Sequence, residues 1–206
     1  MLSTDILTIA DYVGIIVFAA SGALAAARNS MDIFGFCVIA LITAVGGGTL
    51  RDLVLGTPVF WIEHNIYVVL ALSAAIVVFF AERHINSRLG LLTWLDAAGL
   101  ALFAALGATK ALALGTSELI AVMMGIVSAV FGGIIRDVVC NEIPLILQKE
   151  VYAIAAFGAA LLVVCLRYFD VAAAPAILAG TVLGFAIRAC AIRFGWSLPA
   201  PAARSR

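Results

Sequence analysis

Two stretches of this sequence place glycines shortly before an arginine–aspartate pair. They read Gly46-Gly47-Gly48-Thr49-Leu50-Arg51-Asp52 and Gly132-Gly133-Ile134-Ile135-Arg136-Asp137. Adjacent glycines cost a helix about 1 kcal/mol each, but they permit backbone angles that expose carbonyl and amide groups. An arginine within an apolar segment costs at least about 2.5 kcal/mol and usually faces a bundle interior or an aqueous cavity. The two stretches are therefore the candidate binding or permeation site.

We expect the helices to break at these glycines, so that carbonyls bind a cation or amides bind an anionic group. The alternative is that the small residues only let two helices cross closely. Thr43 and Ser128 lie four residues before Gly47 and Gly132, one helical turn away, which makes their hydroxyls candidates to line the same pathway.

The charged pairs have their own expectations. Residues at i and i+1 do not face each other on a helix, so we expect Asp52 and Asp137 to contact partners other than the adjacent arginines. Thr49 is counted with the glycines as a pore or kink residue, and Thr49-x-x-Asp52 also has the form of a capping box that restarts a helix. All four charged residues, Arg51, Asp52, Arg136 and Asp137, are interpreted as a charged gate or binding group, with snorkelling of the arginines to the interface as the alternative.

The composition indicates the environment of these stretches. Of the 206 residues, 65% are hydrophobic and 12% are charged, and the mean hydropathy is +1.20. Soluble domains have about 45–50% apolar and about 25% charged residues. A soluble fold is therefore excluded, and continuous rather than alternating apolar runs exclude a barrel. The fold class is an all-α polytopic membrane protein.

Seven apolar segments are long enough to be membrane spans. They cover about 8–27, 34–55, 66–81, 90–110, 119–140, 151–168 and 176–194. The joints are short, so we predict a single membrane domain over residues 1–206. Lys110 flanks the joint after the fourth span and is expected to be solvated, and the sequence assigns no role to Arg188.

The second half of the sequence repeats the first half when the two are aligned so that Asp11 meets Asp96. The same alignment pairs Gly14 with Gly99, Phe18 with Phe103, Arg51-Asp52 with Arg136-Asp137, and Tyr67 with Tyr152. This predicts repeats over about 8–81 and 90–168, each with three spans, and an extra helix over about 176–194. An odd number of spans per repeat makes the two repeats inverted. In the extra helix, Gly180-x-x-x-Gly184 predicts close approach of another helix, within the protomer or between subunits.

Basic residues predict the orientation, because they concentrate on the cytoplasmic side. One side carries only Lys110 and Arg167. The other side carries Arg28, Arg83, Arg88, Lys149, Arg193, Arg204 and Arg206. We therefore expect the N-terminus outside and the C-terminus in the cytoplasm of a bacterial or archaeal inner (plasma) membrane.

Several functional classes lack support in the sequence. No nucleophile–base pair, phosphate-binding loop or His/Cys metal cluster is present, so we expect no enzyme and no metal site beyond a monovalent ion held by backbone carbonyls. The formal net charge is zero, and without a basic stripe we expect no nucleic-acid partner.

The two glycine–arginine–aspartate stretches resemble the prokaryotic branch of the trimeric intracellular cation (TRIC) channel family, and the resemblance covers nearly the whole chain. It implies a homotrimer with one K⁺- and Na⁺-conducting pore per protomer, between the glycine-kinked second and fifth helices. The second stretch departs from the pattern, because Ile134 follows its two glycines, and this predicts a weaker kink. The motif is also similar to that of bacterial membrane proteins described as transporters of small amino acids, notably glycine.

Two functions therefore stay open. The first is passive permeation of K⁺ or Na⁺ through a pore in each protomer. The alternative is a secondary transporter of a small zwitterionic amino acid such as glycine, held by an arginine or helix N-terminus at its carboxylate and by an aspartate or carbonyl at its ammonium. The expected ligands are the permeating ion and a bound lipid, with no cofactor, and the expected partners are the bilayer and further copies of the chain.

Overall fold

The computed structural model describes residues 2–85, 87–148 and 151–197. Within those ranges the chain forms seven long helices and one short one. They are α1 (Leu2–Arg28), α2 (Ile33–Val54), the short α3 (Phe60–Glu63), α4 (Ile66–Ala81), α5 (Arg88–Ala113), α6 (Glu118–Val139), α7 (Ala153–Tyr168) and α8 (Ala173–Phe194). Short 3₁₀ turns cover Glu82–His84 and Leu145–Leu147.

Each of the seven predicted spans corresponds to one long helix, which confirms the all-α fold class. Six of these helices have the length and hydropathy needed to cross a membrane, α4 together with the 3₁₀ turn that extends it to His84, and α7 is a shorter apolar helix of 16 residues. The largest boundary error is at α1, which begins at Leu2 rather than near residue 8. Lys149, Arg204 and Arg206, which were used to predict the orientation, lie outside the described residues.

Local signals set the helix boundaries. Asp32 Oδ1 accepts the Gly35 N–H at 2.8 Å and Ser87 Oγ accepts the Gly90 N–H at 3.1 Å, so each side chain satisfies a free amide at a helix N-terminus. Gly195 ends α8 in the left-handed conformation with φ 64°, which a glycine adopts without steric cost.

Four helices form the centre of the molecule. α1 packs on α2 and α5, and α6 packs on the same two helices. α4 lies against α1 and α2, while α7 lies against α5 and α6 in the corresponding place. α8 covers α5 and α7 and has no counterpart on the other half of the described chain.

The contacts between α1 and α5 are reciprocal. A Cβ added to Gly14 would lie 3.0 Å from Phe103 Cζ, and a Cβ added to Gly99 would lie 2.3 Å from Phe18 Cδ1. The Phe18 and Phe103 rings stack with centroids 5.2 Å apart. Reciprocal contacts of this kind are those that a two-fold axis between two halves produces.

The expected break at the glycines is wrong. α2 is continuous through Gly46, Gly47 and Gly48, and α6 is continuous through Gly132 and Gly133. Because glycine accepts helical angles, its lack of a side chain is used here for close contact rather than for irregular backbone.

The crossing of α2 and α6 explains two of these glycines directly. A Cβ at Gly47 would lie 2.1 Å from the Ser128 carbonyl oxygen, and a Cβ at Gly132 would lie 2.2 Å from the Thr43 carbonyl oxygen. Both distances are shorter than any real contact, so the two backbones touch. The alternative interpretation of the motif, close helix crossing, is therefore confirmed.

The predicted small-residue motif in α8 also makes a close contact. A Cβ at Gly180 would lie 2.6 Å from Val163 Cγ2, and a Cβ at Gly184 would lie 2.7 Å from Ala159 Cβ. The motif therefore docks α8 on α7 within the protomer.

Candidate functional site: two buried charge clusters at the ends of α2 and α6

The first cluster, which we call the α2 cluster, consists of Arg51, Asp52 and Lys110. Asp52 Oδ1 accepts hydrogen bonds from Arg51 Nε at 2.8 Å and from Lys110 Nζ at 2.9 Å. Asp52 Oδ2 accepts the Phe60 N–H, the first amide of α3, at 3.1 Å. Asp52 is fully buried, while the Lys110 side chain is 34% exposed. One buried carboxylate therefore holds two cations and fixes the loop that follows α2.

The second cluster, the α6 cluster, consists of Arg136, Asp137, Asp96 and Ser21. Arg136 Nε donates to Asp137 Oδ1 at 2.8 Å, and its Nη1 donates to Asp96 Oδ1 at 2.7 Å and to Ser21 Oγ at 2.6 Å. Asp137 Oδ2 accepts the Leu145 N–H at 3.1 Å. Here one buried cation holds two carboxylates.

The pairing of neighbouring residues corrects the expectation that each aspartate meets a different partner. Both pairs lie in the last turn of their helix, where the long arginine side chain bends so that its guanidinium contacts the carboxylate of the next residue. The i, i+1 rule describes short side chains on a regular helix surface. It does not limit a guanidinium at the end of three methylene groups.

Thr49 does not form a capping box with Asp52. Its hydroxyl donates to the Val45 carbonyl at 2.7 Å and accepts the Trp61 indole N–H at 2.9 Å. The capping-box prediction was wrong because α2 does not restart at this point. Thr49 instead helps to fix the α2–α4 connection.

Thr43 and Ser128 are buried in this structure. Their hydroxyls donate to the carbonyls of Ile39 at 2.6 Å and Met124 at 2.7 Å, within their own helices. Their role as lining residues of a pathway stays a prediction.

Lys110 is not simply solvated, because its ammonium pairs with Asp52. Arg188 contacts an aromatic ring: its guanidinium carbon lies 5.2 Å from the centroid of the Tyr152 ring, within the range of a cation–π contact. Arg51 makes a similar contact with the Phe60 ring at 5.9 Å.

A cavity lies beside each cluster. The α2-side cavity, of about 360 Å³, is lined by residues that include Asp11, Gly48, Arg51, Phe60, Tyr67 and Lys110. The α6-side cavity, of about 290 Å³, is lined by residues that include Arg28, Arg136, Asp137, Glu142, Leu145 and Gln148. Arg28 and Glu142 form an ion pair of 3.1 Å at the α6-side cavity.

The structure brings together the predicted residues of each charged stretch but adds neighbours that the sequence analysis did not assign to the site. Asp11, Asp96, Ser21 and Lys110 are the main additions. A signal existed for two of them, because Asp11 and Asp96 match in the same repeat alignment as the arginines. No periodicity or motif marked Ser21 or Lys110.

The fold and the paired clusters define a polytopic helical membrane protein built from two similar halves. The family model described as "Glycine transporter" matches residues 8–83 and again residues 93–168. The UPF0126 inner membrane protein YadS of Escherichia coli is 42% identical over 92% of this chain and 93% of its own length.

Solved structures of TRIC channels match the chain over a similar length. The TRIC channel orthologue from Rhodobacter sphaeroides is 44% identical, covers 92% of this chain and 98% of that chain, and superposes with a TM-score of 0.89. A prokaryotic TRIC channel solved in 0.5 M KCl is 30% identical over 95% of this chain and 100% of that chain, with a TM-score of 0.88. The chain therefore belongs to the prokaryotic TRIC channel family, and the glycine transporter family model matches it as well.

Proposed function

We propose that the protein is a cation channel that conducts K⁺ and Na⁺ passively. The observation that carries the proposal is that both buried arginines are paired with carboxylates. A bare positive charge in a pathway repels cations, but Asp52 pairs with Arg51, and Asp96 and Asp137 pair with Arg136. Its likeness to structures of TRIC cation channels supports the same proposal.

The proposed path runs from the α2-side cavity, along the flank of the α2–α6 crossing, to the α6-side cavity. Gly48 lines the first cavity, and Gly47 and Gly132 form the crossing. The sequence predicts a pore between these two helices. We propose that this pore runs beside the contact between α2 and α6 and not through it. Monovalent ions are its only proposed ligands apart from a bound lipid.

A KCl gradient across a planar bilayer containing purified protein tests the activity. We expect discrete current steps that reverse near the K⁺ equilibrium potential. To test the path, Thr109→Cys, which lies in the α2-side cavity, is introduced after the native cysteines are replaced. A charged thiol reagent is expected to block this variant but not Leu114→Cys, which is exposed beyond the end of α5. Equal block of both variants would contradict the path.

The assembly and location are part of the proposal. We propose a homotrimer with one pore per protomer in a bacterial or archaeal inner membrane, with the N-terminus outside and the C-terminus in the cytoplasm. Native mass spectrometry gives the subunit number, and reporter fusions at each terminus give the orientation. A monomer in mild detergent, or a periplasmic C-terminus, would refute these parts separately.

The alternative function is transport of a small zwitterion such as glycine. The match to the family model described as "Glycine transporter" supports this alternative. The α2-side cavity holds both cationic and carboxylate groups, since Arg51, Lys110, Asp11 and Glu63 line it. A carrier predicts saturable exchange of labelled glycine in liposomes and a silent planar bilayer. Non-saturating ion flux without glycine exchange would reject it.

A further inference from the structure

Two aspartates at equivalent positions of the two repeats have different surroundings. Asp96 is 1% exposed and its Oδ1 pairs with Arg136 at 2.7 Å. Asp11, its equivalent in the first repeat, lines the α2-side cavity and is only partly buried. Within the described part of the chain Asp11 makes no hydrogen bond and no ion pair, because the guanidinium of Arg51 is turned to Asp52.

The charges beside Asp11 give this difference a consequence. Arg51 and Lys110 share the single carboxylate of Asp52, which leaves the α2 cluster with one positive charge in excess. Lys110 is partly exposed, and both cations act electrostatically on Asp11. Asp11 is therefore a carboxylate that offsets this excess inside the cavity, where it is less exposed than Glu63. Glu63 also lines the cavity, on the short helix α3.

We propose that Asp11 determines charge selectivity at the α2-side cavity, admitting cations and excluding anions, while its counterpart Asp96 is a structural partner of Arg136. This inference rests on the proposed channel function. A cavity with apolar walls focuses the field of its charges, so one carboxylate changes the local concentration of ions by about tenfold or more.

The test compares reversal potentials in planar bilayers under a KCl gradient. For Asp11→Asn we expect the permeability ratio of K⁺ to Cl⁻ to fall about tenfold, which moves the reversal potential toward zero. Its K⁺ conductance should also fall at low salt and recover at about 1 M KCl, where the screening length is about 3 Å. Glu118→Gln removes the same charge from an exposed residue outside this cavity and should match the wild type.

Two further results separate charge from packing. Asp11→Glu keeps the carboxylate and should keep the selectivity. Wild-type selectivity in Asp11→Asn, or equal loss in Asp11→Asn and Asp11→Glu, would overturn the assignment while leaving the channel function intact. A wild-type protein without cation current would overturn the proposed function, and this inference with it.

Discussion

The α2 and α6 clusters contain the same arginine–aspartate pair but have opposite net charges. In both, an arginine in the last helical turn pairs with the next aspartate, whose second oxygen accepts an amide eight residues further on. The α2 cluster then recruits a second cation, Lys110, whereas the α6 cluster recruits a second carboxylate, Asp96. The shared part anchors a loop, and the added residue sets the net charge.

This difference arises from single positions on neighbouring helices. Ser21 on α1 contributes no charge but accepts a hydrogen bond from Arg136, and its equivalent in the second repeat is Leu106. The equivalent of Lys110 in the first repeat is Ala25. The two clusters therefore diverge through their neighbours and not through the motif itself. The α6 cluster is the more deeply enclosed, and the α2 cluster faces the larger cavity.

Removal of the arginines gives the largest expected contrast. Arg136→Met leaves Asp96 and Asp137 buried without their cation, and breaking a buried pair in this way costs about 3 to 5 kcal/mol. Arg51→Met should cost clearly less, because Lys110 still pairs with the remaining carboxylate. Thermal unfolding in detergent measures both. Equal losses would mean that the two clusters do not differ in the way described.

At the crossing of α2 and α6, we expect substitution by alanine to destabilise the protein at some of the glycines and not at others. Gly132→Ala forces a methyl group onto the Thr43 carbonyl and should cost about 1 to 3 kcal/mol through overpacking. Gly133→Ala is the matched control, since its nearest neighbour would be the Tyr152 hydroxyl at 3.1 Å. Detergent unfolding temperatures compare the two, and a larger loss for Gly133→Ala would contradict the packing account.

Lys110→Met tests the second cation of the α2 cluster. The Lys110 side chain is 34% exposed, so solvent screening limits the loss of stability to about 1 kcal/mol or less. In the proposed channel, loss of a positive charge beside the cavity should raise K⁺ conductance at low salt. Lys110→Arg keeps the charge and serves as the control; a rise in that variant as well would exclude the charge as the cause.

The smallest effect is expected at the ion pair between Arg28 and Glu142, which line the α6-side cavity. Its side chains are 29% and 33% exposed, and pairs of this kind contribute about 0.2 to 1 kcal/mol and weaken in salt. Arg28→Gln should lower the unfolding temperature slightly at low salt and not at high salt. A double-mutant cycle with Glu142→Gln measures the coupling, and a salt-independent loss would exclude an ionic origin.

Much of the site was predictable because charged residues are rare within membrane-spanning segments and are therefore easily recognised in the sequence. Arg51, Asp52, Arg136 and Asp137 stand out in apolar segments, where an unpaired charge is costly. Their equivalence followed from the alignment of the two repeats. The reason for the glycines was not predictable, because the same lack of a side chain permits both a broken helix and a close crossing.

The sequence by itself determined the environment, the number of long helices and the positions of the charged pairs. These depend on hydropathy and local spacing, which the order of residues contains directly. Only the tertiary structure decided that the helices stay continuous and that Asp52 pairs with Lys110. It also decided that Asp96 pairs with Arg136, whereas Asp11 does not pair with Arg51. These outcomes depend on which side chains from distant segments meet, and that is a property of packing.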